Sequence, residues 1–137
     1  MKSNIKIKKE KILNLMMQLQ LKSKLFQKTG GVHASALADK NKIIFFAEDI
    51  GRHNTVDKII GYALTKKMNL RDKIILTTGR LSSEMILKSV KAGIPIIMSK
   101  AAPTDMAVNL AKKLNVTLIG FARGQRFNVY NNEKNVV

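Results

Sequence analysis

Between Ile43 and Glu84 the chain twice passes from a short apolar run into a polar loop and then into an amphipathic helix, and few folds accept that order. The first unit is Ile43 to Glu48, then Asp49, Gly51, Arg52, His53 and Asn54. Val56, Ile59, Ile60, Ala63 and Leu64 then mark a helix from Arg52 to Lys67. The second unit opens with Lys73 to Thr78, an uninterrupted apolar run of the kind buried on both faces of a sheet. Gly79-Arg80-Leu81-Ser82-Ser83-Glu84 turns it into a helix ending near Ala92, with Ser82 or Ser83 as N-cap. In an open sheet both polar loops fall at the carboxyl ends of strands, where such folds bind ligands.

The remainder continues the alternation. Gly93-Ile94-Pro95 leads into a strand from Ile96 to Ser99. Lys100 to Asp105 then opens a helix on Met106, Val108, Leu110, Ala111 and Leu114, with Pro103 near its first turn and Asn115 at its end. Val116 to Phe121 reads as a further buried strand, Ala122 to Arg126 as a loop, Phe127 to Tyr130 as a last strand and Asn131 to Val137 as a polar tail. Upstream, Ile12, Leu15, Met16, Leu19 and Phe26 define one face of a helix from Glu10 to Gln27, with Met16 and Met17 as core filler and Met1 to Lys9 as a basic, frayed end. Gly30 and Gly31 stop that helix, and a hairpin follows across the turn Asp39 to Lys42. The expected fold is a single α/β domain, a three-layer α/β/α sandwich with a mixed, mostly parallel sheet and an antiparallel edge.

A chain with no cysteine has neither disulfides nor thiolate ligands and no cysteine nucleophile. His33 and His53 lack any HExxH or HxE spacing, so no metal site is expected. No apolar run reaches the ~18 residues of a membrane span, and the start is too basic for a secretory signal, so the expected location is the cytoplasm. The net charge of +16 invites a nucleic-acid reading. Yet most of the 25 basic residues are lysines scattered among Asn and Ile, which reads as general vocabulary, and nucleic acid is not the expected partner. The arginines say more. Arg52, Arg80, Arg123 and Arg126 fall in strand-end loops and only Arg71 lies elsewhere, which suggests a need for planar forks that grip phosphate bidentately.

Those loops would converge on one rim with Lys100, several hydroxyls, helix N-termini and Phe121. Such a set suits a multiply phosphorylated ligand carrying a sugar and a base. Cations are disfavoured in a first helical turn, so Arg52 and His53 make more sense as ligand contacts than as dipole partners. His33 faces a ligand or is a hydrogen-bonded structural histidine; Asp57 is a weak candidate beside a plain ion-pair role. Neither a P-loop nor GxGxxG follows a strand, and no GxSxG elbow supports a hydrolase built from Ser35 or Ser83, His53 and Asp49.

Five stretches together resemble the formate dehydrogenase accessory protein family (FdhD/NarQ), in its C-terminal part. They are TGGVHASAL, EDIGRHNTVDKIIG, GRLSSEM, SKAAPTDMA and LIGFARGQRFNVY, in order between about Phe26 and Tyr130. The resemblance implies a cytidine deaminase-like fold without the zinc ligands, and a sulfurtransferase role. In that role sulfur passes from a cysteine desulfurase to the molybdenum cofactor, molybdenum bis(molybdopterin guanine dinucleotide), before it enters formate dehydrogenase. It further implies a homodimer, and GDP as a mimic of the guanine dinucleotide end. The family's cofactor-binding segment corresponds here to Phe121, Ala122, Arg123, Gly124, Gln125 and Arg126. His33, Asp49, Arg52, His53, Thr78, Arg80, Ser83, Ser99, Lys100, Thr104 and Asp105 are the further wall residues expected from motif position and the rim. The family carries its sulfur on a Cys-x-x-Cys loop that this chain lacks, so the chain is expected to be the cofactor-binding half and inactive in sulfur transfer alone. The missing part would belong to a longer parent protein or a second polypeptide. A general nucleotide- or nucleic-acid-binding domain is the alternative.

Overall fold

The computed structural model describes residues 5–24 and 31–137. Among these residues four α-helices, α1 (Lys9–Lys24), α2 (Arg52–Thr65), α3 (Ser83–Ala92) and α4 (Asp105–Leu114), pack on a sheet. Its six strands are β1 (His33–Ala38), β2 (Ile43–Asp49), β3 (Ile74–Thr77), β4 (Ile96–Ser99), β5 (Thr117–Arg123) and β6 (Arg126–Asn131), in the spatial order β2-β1-β3-β4-β5-β6. Only β3–β4 and β4–β5 pair in parallel, while β1 opposes both β2 and β3, and β6 opposes β5. The sheet is therefore mixed: β2, β3, β4 and β5 point one way, yet antiparallel ladders outnumber parallel ones because β1 slots between β2 and β3. That insertion is not written in the pattern of a hairpin, which fixes one neighbour and leaves the other open.

Strand alternation sends side chains to two cores. On one face α1 lays Ile12, Leu15, Met16 and Leu19 over Ala34, Ala36, Leu76, Met98 and Ile119. On the other, α2, α3 and α4 cover Leu37, Ile75, Ile97 and Leu118 with Val56, Ile59, Met85, Ile86, Ala107 and Ala111. The small residues of β1 let the helices close on the sheet, and the three-layer arrangement follows. Among the described residues, no helix is long and apolar enough to cross a membrane.

Helix ends follow the local code. The Ser82 hydroxyl accepts from the Met85 amide and Thr104 from the Ala107 amide, and Gly93 and Asn115 close α3 and α4 in the left-handed region.

Several expectations need correction. Met16 is buried at 1% exposure, whereas Met17 stands 57% exposed, since neighbours on a helix diverge by about 100°. Leu64 and Met106 are likewise on outer faces. The expected polar tail is packed: Val136 bridges Ile7, Asn135 is buried, and Asn131 donates to the Ala111 and Val116 carbonyls at 3.1 and 2.8 Å. Ile5 and Ile7 are correspondingly buried, so the described part of the basic start is anchored and not frayed. Asparagine side chains that bond strand and helix ends look, in sequence, like solvent-facing ones. The segment Ala122 to Arg126 is the tip of a β-hairpin and not a loop, with Gly124 and Gln125 between paired Arg123 and Arg126. Phe26, Thr29, Gly30 and the final turn of the expected first helix lie outside the described residues.

Candidate functional site

Strand direction brings the polar segments to one end of the sheet. His33 stands opposite Asp49, Ser35 opposite Thr77, Thr77 opposite Ser99, and Arg123 opposite Arg126. The N-termini of α2, α3 and α4 follow β2, β3 and β4 and open on the same rim.

Hydrogen bonds stitch the rim together. The Thr78 amide donates to the Ala34 carbonyl at 2.9 Å, and the Ala34 amide to the Thr78 hydroxyl at 3.0 Å. The Ser99 hydroxyl donates to the Gly79 carbonyl at 2.6 Å and accepts from the Ala101 amide at 3.0 Å, joining the loops after β3 and β4. The Leu81 amide then donates to the Ala102 carbonyl at 3.1 Å while its carbonyl accepts from the Thr104 amide at 2.9 Å, and the Phe121 amide donates to the Ala101 carbonyl at 3.1 Å. Thr78, Ser99 and Thr104 thus have structural partners that account for their polarity without a ligand. Ser35, weighed in the sequence only as a hydrolase nucleophile, is instead part of a buried hydroxyl cluster: Ser35 Oγ lies 2.6 Å from Thr55 Oγ1 and 3.0 Å from Thr77 Oγ1. Their signal was present, since Ser35 and Thr77 share strand parity with the core residues Leu37 and Ile75.

At the β2 to α2 corner, Asp49 is engaged within its own loop. It accepts from the Gly51 amide at 3.0 Å and the Asn54 side chain at 3.2 Å, and pairs with Lys58 at 3.0 Å. The Gly51 amide first, then the Lys58 ammonium and Asn54, hold its carboxyl well below the ordinary carboxylate range. Lys58, missing from the sequence-derived set, also donates to the Glu48 carbonyl at 2.9 Å. Burial pushes the Glu48 carboxyl up.

No side chain caps α2, whose first residues are Arg52 and His53. Arg52 packs on Gly79, and its buried Nε finds no hydrogen-bond partner among the described residues. His53 Nδ1 is likewise buried and without a hydrogen-bond partner among the described residues, with Glu84 Oε2 at 3.9 Å. Asp57 forms an ion pair with Lys88 at 2.9 Å between α2 and α3, which accounts for it without a ligand.

At the far end of the rim, Phe121 takes a left-handed φ of 52°, an uncommon conformation for an aromatic residue. It sits in an irregularity of the β5–β6 register that spans Gly120 to Arg123. Gly120 before it is closely packed, since a Cβ there would meet Pro103 Cδ at 2.8 Å and Tyr130 at 3.0 Å. The Arg123 guanidinium carbon lies 5.5 Å from the centre of the Phe121 ring. Arg123 and Gly124 also border a small cleft of about 80 Å³ against Leu13, Met16, Met17 and Gln20 of α1. Gln125 and Arg126 are exposed at the tip, Ala122 is buried, and Arg80 is exposed after β3. Lys100 and His33 are half-buried on the rim, while Asp105 is exposed in the first turn of α4. Ser83 lies apart, bordering a groove between α3 and α4.

The arginines thus share an edge but not one face: Arg123 turns toward α1, whereas Arg52 leans on the loop after β3. Guanidinium groups, an aromatic face and an unpaired Nε suit an extended ligand bearing phosphates more than a compact one.

The profile of the FdhD/NarQ family matches residues 1–137. A sulfur carrier protein FdhD of Bacillus pumilus is 48% identical over 132 residues, covering 96% of this chain and 50% of the relative. That of Staphylococcus aureus (strain MRSA252) is 41% identical over 135 residues, covering 98% and 51%. The chain therefore spans about half the length of the curated relatives it matches. The crystal structure of a chain described as a formate dehydrogenase accessory protein, from Desulfotalea psychrophila, superposes with a TM-score of 0.90 at 33% identity, covering 98% of this chain and 58% of that one. A deaminase/reductase from Thermotoga maritima superposes with a TM-score of 0.61 at 13% identity over 83% of this chain and 37% of that one, a likeness of fold alone. The expected deaminase-like α/β fold is what the chain adopts, and by the match along its whole length this chain belongs to the FdhD/NarQ family.

Proposed function

We propose that this chain binds the guanine dinucleotide end of molybdenum bis(molybdopterin guanine dinucleotide), as the cofactor-holding part of a sulfur-transfer system serving a formate dehydrogenase. The observation that carries the reading is the hairpin tip from Phe121 to Arg126. There an aromatic ring in a left-handed conformation, a guanidinium beside it and an exposed second arginine are anchored to the rim through Ala101. Strained backbone of this kind persists where surrounding contacts over-determine it, which is common at ligand sites. A guanine can stack on the ring, and the arginines can meet the pyrophosphate.

With no cysteine in the chain, no persulfide forms on it. The sulfur arrives on a cysteine outside this chain, supplied by a cysteine desulfurase, and the role here is to bind and orient the cargo. The setting is the cytoplasm, and the chain self-associates as a homodimer.

Titration calorimetry with GDP, used as the mimic, tests the reading. Heat of binding and a raised melting temperature are expected at millimolar GDP. Arg126→Ala weakens binding by about 1.5 to 3 kcal/mol, the loss of a charged hydrogen bond. A folded protein that gives neither heat nor thermal shift removes the proposal. DNA or RNA binding at about 150 mM salt that survives Arg126→Ala favours the nucleic-acid alternative instead.

A further inference from the structure

The exposed faces of α3 and α4 carry apolar side chains with no described cover. Leu87 is 40% and Met106 70% exposed, and with Ser83, Asn109, Leu110 and Lys113 they line a groove of about 360 Å³. Both helices follow parallel strands in consecutive crossovers, so they run the same way and their ends align. Their first turns carry Glu84 and Asp105, and their last turns carry Lys91, Lys112 and Lys113. The face is therefore acidic at the rim end, apolar in the middle and basic at the far end.

We propose that a second copy of this chain docks on this face about a two-fold axis that sets the helices antiparallel, an assignment of surface that rests on the self-association put forward above. The charge of the chain limits where copies can meet. At +16, two copies repel across most of their surface. A two-fold contact uses one patch twice, so the patch must complement itself. Turning one copy end for end sets Glu84 and Asp105 against Lys91 and Lys113 of the other, with Leu87 and Met106 meeting in the middle. A parallel arrangement would place like charge on like. An acidic partner would meet the two carboxylates at the rim end, and an anionic lipid surface would do the same. The antiparallel contact also brings Lys91 and Lys113 of one copy to the margin of the other's rim.

Sedimentation velocity of the whole chain from about 1 to 200 µM, the range of moderate self-affinities, tests this. A concentration-dependent dimer is expected. Leu87→Glu and Met106→Glu, each at an exposed position and checked for folding by circular dichroism, raise its dissociation constant at least about tenfold by placing a carboxylate in the apolar centre. Glu84→Lys and Lys113→Glu each weaken the dimer, and the two together restore it. A dimer that survives both Glu variants places the contact on another face and overturns the assignment while leaving self-association standing. A wild-type chain that stays monomeric removes both. Failure of the charge swap to restore the dimer overturns the antiparallel arrangement. GDP binding by the same preparations reports separately on the rim.

Discussion

Gly79 and Arg52 touch across the gap between the loop after β3 and the start of α2. A Cβ at position 79 would stand 2.9 Å from Arg52 Cβ and 3.1 Å from its Cδ. The obstacle is the stem of the arginine at a helix start and not a free side-chain tip, so the neighbour can give little. Gly79 does not occupy the left-handed region, so the backbone itself would accept alanine. Gly79→Ala should therefore cost about 1 to 3 kcal/mol in urea denaturation through overpacking alone. It should also swing the Arg52 guanidinium off its present line and weaken GDP binding. Unchanged stability would mean that the two loops are not held at this spacing.

Phe121 gives a test in which backbone and ring separate. Its left-handed φ costs an L-residue with a Cβ roughly 1 to 2 kcal/mol, a penalty glycine escapes. Phe121→Gly should accordingly be more stable than Phe121→Ala by about 1 kcal/mol in chemical denaturation. Both should lose GDP affinity, since neither retains the ring. Equal stability of the two variants would argue against the left-handed turn, and retained affinity in both would take the base away from this position.

Asp49 should leave a mark on acid stability. Its carboxyl is held below the ordinary range by Gly51, Lys58 and Asn54, so the folded state favours the ionised form. Its contribution is fully present above the unfolded carboxylate pKa of about 3.9 and is lost as pH falls from there toward the lower folded value. Denaturation midpoints measured from pH 7 to pH 2 should fall less steeply below pH ~4 in Asp49→Asn than in the wild type. Glu48 carries the opposite sign: burial raises its folded pKa, so its contribution is lost as pH rises through that value. Glu48→Gln should flatten the slope just above the ordinary glutamate pKa instead. Identical profiles for wild type and Asp49→Asn would show that the loop bonds do not favour the charged form.

Much of this architecture was legible in local pattern. Apolar runs at β3, β4 and β5 marked buried strands, the Ser82-Ser83 pair marked the start of α3, and Gly93 and Asn115 marked helix ends, because each depends on a few neighbouring residues. Helix faces were legible to within one position: Met16 and Met17 read alike in composition, but only one can point inward. The polar residues at strand ends were legible as a set. Which of them are already occupied was not, because Thr78 and Ser99 take partners, Ala34 and Gly79, that only the folded loops bring within reach.

By itself, then, the sequence determined the order of elements, the layered α/β class, the absence of any thiol chemistry on this chain and the family to which the motifs point. The tertiary structure decided the rest: β1 between β2 and β3, the chain's two ends paired through Ile7 and Val136, the hairpin at Phe121 to Arg126, and the division of the arginines between two sides of one rim. The physical reason is range. Propensity, capping and periodicity act over a few residues, whereas strand neighbours and hydrogen-bond partners are chosen among segments tens of residues apart, by whichever pairing buries both sheet faces at once.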